Sequence, residues 1–162
     1  LPAIALSFEK ADRDIMNRPP RASNENIFSA GRGYHIAWVG LLMAGIALAA
    51  QSYCIRNGLH WQTMVFNIIC ISQMAHVMSI RSESRSLFSI GIFSNKPLIG
   101  SVILSLILQF VVTYTPFLQP VFNTESLTTM EFIGVGILAS FTFIAVEMEK
   151  LFKRLSKAKQ EN

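Results

Sequence analysis

The chain has 162 residues, 51% of them hydrophobic and 15% charged, with a net charge of +4. Several apolar runs approach the ~20 residues that cross a ~30 Å hydrocarbon core, so a one-domain integral membrane protein is expected. No Arg/Lys cluster is interleaved with aromatics, which leaves nucleic-acid binding without support. Cys54 and Cys70 stand apart, with no CxxC pair or histidine at ligand spacing, and read as unpaired packing residues.

Residues 1–8, LPAIALSF, have no basic region ahead of the apolar run and no small-residue cleavage site after it, so they are not a signal peptide. They look like the last turns of a helix ending at a membrane surface. With no initiator Met, the chain is expected to be a piece of a longer protein. A polar connection follows, carrying Lys10, Arg13, Arg18, Arg21 and Arg32. Its Pro19-Pro20 pair holds the backbone extended.

The first complete span is expected at 35–53. Gly40 and Ala44 make a small-xxx-small pair that admits a close helix neighbour. Trp38 and Tyr53 stand near its ends, as interfacial anchors do. Asn57-Gly58 is a strong turn signal, and two long helices joined by so few residues must be antiparallel neighbours.

The second span, 61–80, carries Ser72, Gln73, His76 and Ser79. Their i,i+3 and i,i+4 spacings place them in one polar stripe. Such a stripe faces other helices or a water-filled path, because facing lipid is costly. Two readings stay open: a helix contact sealed by side-chain hydrogen bonds, or the wall of an ion pathway. His76 is read either as a pH reporter or as a buried, hydrogen-bonded histidine.

The third span, 97–115, is nearly pure Leu/Ile/Val apart from Ser101, Ser105 and Gln109. Pro97 suits the first turn of a helix. The loop at 115–129 holds Pro116 and Pro120, and its Phe117, Leu118, Val121 and Phe122 suit a membrane surface. The fourth span is expected at 131–149, with Glu147 an interfacial carboxylate pairing with Lys150 at i,i+3 or reaching Arg154 at i,i+7. The fold expected is therefore an all-α membrane bundle of four complete transmembrane helices, preceded by the end of a truncated helix. Residues 1–34 are the helix end and its connection, 35–149 the bundle, and 150–162 a basic tail.

Thirteen of the fourteen Lys and Arg residues fall in the connection before the first span, the segment between the second and third, and the tail; Arg56 alone lies on the other side. The positive-inside rule makes those three segments cytoplasmic, and the alternation works only with four spans. The basic tail could also touch anionic lipid.

The opening stretch, Leu1, Pro2, Ala3 and Leu6, then Asp14, Met16 and Arg18-Pro19-Pro20-Arg21, resembles the segment after the sixth transmembrane helix of type II P-type cation ATPases. A small-rich seventh helix, the SIRSESRSLF turn, Asn95-Lys96 opening the ninth helix and an acidic-then-basic end to the tenth agree with it. The likeness is greatest to bacterial calcium-pump-like members and covers essentially the whole chain. It implies the C-terminal membrane-support domain of an ATP-driven cation transporter, with calcium the expected ion, in a bacterial plasma membrane with both termini cytoplasmic. The parent would use ATP, Mg and a transported cation. The family's DKTG phosphorylation motif is absent, so no catalysis, catalytic residue or cofactor is expected of this chain alone. Its partners would be the lipid bilayer and the remaining transmembrane and cytoplasmic domains of the same pump, with no nucleic acid. In two-site calcium pumps a Glu on the eighth helix contributes to one site, and the resemblance places Gln73 at that position. An amide oxygen can ligate Ca²⁺ but brings no charge. The alternative reading is a free-standing four-helix membrane protein that binds a partner or serves as a structural subunit.

Overall fold

The computed structural model describes residues 1–9, 32–82 and 86–160. The Arg18-Pro19-Pro20-Arg21 connection and Arg85 lie outside them. Among the described residues the structure is helical, without strands. In chain order it comprises α1 (Pro2–Ala5), a 3₁₀ turn (Leu6–Phe8), α2 (Arg32–Arg56), α3 (Trp61–Ser79) and α4 (Leu87–Ile90). A second 3₁₀ turn (Ile92–Ser94), α5 (Lys96–Tyr114), α6 (Gln119–Phe122) and α7 (Thr129–Gln160) follow.

Local chemistry sets the boundaries. Gly58 ends α2 with φ +65°. Leu59 N donates to Cys54 O at 2.9 Å and Gly58 N to Ile55 O at 3.4 Å. These paired bonds satisfy the orphan carbonyls of a helix end, and the left-handed residue between them favours glycine. At the start of α5, Asn95 Oδ1 accepts from Leu98 N at 2.9 Å, and Pro97 occupies the first turn, where no N–H is needed. Thr128 and Glu131 form a reciprocal cap for α7: Thr128 N donates to Glu131 Oε2 at 2.8 Å, and Glu131 N to Thr128 Oγ1 at 3.4 Å.

The expected basic tail is a continuation of α7, which runs to Gln160 rather than stopping near 149. Lys150 Nζ lies 2.9 Å from Glu147 Oε1, and Lys153 Nζ lies 2.5 Å from Glu149 Oε1. Opposite charges three and four residues apart support further helical turns.

Three helices among the described residues are long and apolar enough to cross a membrane: α2, α5 and α7 over Thr129–Ser156. α3 matches α5 in length, at 19 residues, but is less apolar and is not among them. Its polar residues have a packing reason, because α3 is the central helix. It packs most extensively on α7, then on α2, and also meets α5. Ala50 and Cys54 of α2, Met64 and Ile68 of α3, Leu127 and Val135 of α7 with its approach make one buried cluster. Both cysteines are free, and Cys54 Sγ lies 3.4 Å from Met64 Sδ, as packing residues do. By contrast, α5 exposes Ile103, Leu104, Ile107, Leu108 and Phe110, a face suited to lipid. The small face of α2 has no neighbour among the described residues: Gly40 and Ala44 are exposed, and a Cβ built at Gly40 meets nothing within 4 Å.

Candidate functional site

The polar residues of α3 do not share one stripe. Ser72 and Ser79 are buried and His76 is half-buried, whereas Gln73 is exposed. The helical repeat explains the split. At about 100° per residue, Ser72, His76 and Ser79 fall within roughly 60° of one another, and Gln73 stands about 100° from Ser72, on the flank. Among the described residues no group of three or more His, Cys, Asp or Glu is placed to hold a metal ion.

Ser79 faces α7. Its Oγ donates to Glu147 Oε1 at 2.9 Å, and Lys150 Nζ donates to the same oxygen at 2.9 Å and also to the Ser79 carbonyl. The expected Glu147–Lys150 pair is therefore present, and it is tied to α3. His76 stacks on His35 of α2, with ring centroids 5.7 Å apart, and its Nδ1 finds no hydrogen-bond partner among the described residues. His35 Nδ1 lies 2.6 Å from Glu149 Oε2, and Trp38 Nε1 donates to that oxygen at 2.8 Å. Trp38 is thus turned toward α7, so its part in the bundle goes beyond that of an interfacial anchor. A cleft of about 300 Å³ opens here, lined in part by Arg32, His35, His76, Glu149, Lys150 and Lys153.

The most completely bonded group is Arg81, just beyond α3. Its side chain has no exposed surface, and all five N–H groups find acceptors. Nε and Nη2 fork onto Glu9, at 2.9 Å to Oε2 and 2.8 Å to Oε1. Nη1 donates to the carbonyls of Gly91 at 3.2 Å and Ile92 at 3.1 Å, and Nη2 also donates to Ser94 Oγ. Asn95 Nδ2 adds a bond to Glu9 Oε2 at 2.8 Å. The Arg81 hydrogen bonds hold the Glu9 carboxyl below its ordinary value of 4.5; partial burial opposes them, while Asn95 and the guanidinium charge act with them.

At the opposite end of the bundle, Glu131 accepts from the His60 backbone N–H at 3.2 Å and lies 2.9 Å from His60 Nδ1. Between the two ends, Asn67 Nδ2 of α3 donates to Thr113 Oγ1 of α5 at 3.1 Å, with both residues buried. Of these joints, only Glu147–Lys150 is expected from the sequence. Thr128-x-x-Glu131 has the spacing of a capping box and could have been found. Glu9–Arg81 and His35–Glu149 join residues far apart in the chain, where spacing carries no signal.

Apolar helices, consecutive long ones antiparallel, tied by buried polar joints define a helical membrane-spanning domain. Residues 1–152 match the family described as "Cation transporting ATPase, C-terminus". The chain belongs to that family. It is similar to a "Calcium-transporting ATPase" of Bacillus subtilis, with 35% identity over 89% of the chain and 17% of that protein. It is similar also to "Calcium-transporting ATPase 1" of Yarrowia lipolytica, with 31% identity over 93% of the chain and 17% of the relative. "Calcium-transporting ATPase type 2C member 2" of Mus musculus shares 32% identity over 98% of the chain and 17% of its own length. The chain thus spans about a sixth of the length of these curated relatives.

Proposed function

We propose that the chain is the C-terminal membrane domain of an ATP-driven calcium transporter, inactive as a catalyst by itself. The observation that carries this reading is the family match over residues 1–152. Relatives named as calcium-transporting ATPases in bacteria, yeast and mammals support calcium as the ion. In this reading α2, α3, α5 and α7 are the four complete spans, and residues 1–8 end the helix that precedes them. ATP, Mg and the transported cation act in the parent protein, whose phosphorylated Asp lies in domains beyond this segment. This bundle anchors the moving parts, and its partners are lipid and the rest of the same pump. The basic residues put the ends bearing Arg32, Arg81 and Lys150 in the cytoplasm. Single-cysteine labelling from outside should reach positions 57 and 123 and miss 90 and 158; external labelling at 90 would overturn the topology.

Gln73 is proposed as an ion-pathway position of the parent. Its exposure on the flank of α3 leaves it open to a helix beyond this chain, while Ser72, His76 and Ser79 face inward. The test is calcium-dependent phosphorylation of the full-length pump at two pH values. Gln73→Leu should weaken calcium affinity while the protein stays folded. Gln73→Glu should add a pH-dependent gain, because carboxylate charge is what tunes Ca²⁺ affinity. Wild-type phosphorylation indifferent to calcium would remove the calcium reading. Affinities unchanged in both variants would return Gln73 to helix packing.

A further inference from the structure

We propose that Arg81 is a positioning residue: it locks residues 1–9 onto the corner between α3 and α5. Resting on the pump reading above, this lock sets the position of the helix that residues 1–8 close.

The corner is built around the guanidinium. A lone buried arginine is costly, and a buried ion pair is a weak source of stability even when well made. What the planar fork supplies is geometry, since two parallel N–H···O bonds fix both the distance and the orientation of the carboxylate. The surrounding backbone is shaped to the remaining donors. Gly91 adopts φ +89°, a conformation that favours glycine, at the turn where two successive carbonyls meet Nη1. Ser94 Oγ accepts from Nη2 and itself donates to Gly91 O at 2.8 Å. Asn95 has two roles, bonding Glu9 through Nδ2 and capping α5 through Oδ1. A shift of Glu9 therefore disturbs the end of α3, the turn at 91–94 and the first turn of α5 together. The segment is also seated sterically: α1 packs on α5, with Pro2 and Ala5 buried. An apolar contact alone would let this short segment slide, and the fork removes that freedom.

The experiment uses the full-length pump in lipid nanodiscs, with Arg81→Lys and Glu9→Gln beside wild type. Lysine keeps the charge but has no fork, and glutamine keeps the shape but loses the charge. Hydrogen exchange at the amides of Ala5 and Glu9 reads the lock directly, and calcium-dependent phosphorylation reads its transmission. Both variants should exchange faster at residues 5–9. Their half-saturating calcium concentration should rise about fivefold or more, the low end of coupling between sites. Phosphoenzyme at saturating calcium should stay at the wild-type level. Wild-type exchange in both variants would overturn the lock. Faster exchange with a superimposable calcium dependence would overturn the positioning role, as would lower phosphoenzyme yield with unchanged half-saturation. A wild-type pump that ignores calcium would instead refute the calcium reading, and the exchange result would still decide the lock.

Discussion

Replacing Glu9 with Ala should lower the unfolding free energy by about 3–5 kcal/mol, the scale for breaking a buried ion pair from one side. The loss is large because Arg81 stays behind with no exposed side-chain surface. Its Nε loses its acceptor, and Nη2 keeps only Ser94 Oγ. Combining Glu9→Leu with Arg81→Met should recover part of the loss, since apolar groups in place of both partners leave no orphaned charge. Reversible unfolding in mixed micelles measures all three; a loss below about 1 kcal/mol for Glu9→Ala would contradict the account. The pair also has a pH signature. Glu9 titrates below its ordinary value of 4.5 when folded, so its contribution is fully present above that value. It is lost as pH falls below 4.5 and through the folded value. Glu9→Gln should flatten this part of the stability profile.

At the other end, Glu131→Ala should cost about 3 kcal/mol, combining a lost helix cap with lost charge-assisted bonds. The Glu131 carboxylate accepts from Thr128 N and Thr128 Oγ1, both at 2.8 Å, and from the His60 backbone. Removing it frays the start of α7 and detaches the α2–α3 turn at once. Glu131→Gln should fall between the two, because its amide NH₂ must meet donors on one side. Unfolding measurements, with amide exchange at residues 131–134, separate these outcomes. Equal stability of the Gln and Ala variants would remove the claim that both carboxylate oxygens matter.

The sequence carried the helices well because its punctuation is local. Asn57-Gly58, Asn95 and Pro97 each terminate or start an element by chemistry confined to a few residues. The extension of α7 past 149 was harder to see, because the Lys residues that look like a solvated tail are also partners of Glu147 and Glu149 one turn back. Periodicity grouped Gln73 with Ser72 and Ser79, yet a contact at i,i+3 is compatible with a rotation that leaves one residue on the flank. The joints at Glu9–Arg81 and His35–Glu149 were invisible for a different reason. Each joins positions 72 or 114 residues apart, and only the packing of the helices brings them together.

α3 and α7 are pinned to each other near both ends, by His60–Glu131 at one and by Ser79 with Glu147 and Lys150 at the other. The two pins stand about 28 Å apart, from 19 residues at about 1.5 Å rise. A slide of one helix along the other by a single turn, about 5.4 Å, would break both at the same moment. No intermediate register keeps one pin while releasing the other. The pair is therefore braced as a stiff strut that tilts or turns as a unit, so that a displacement of either helix at one end is carried to the other.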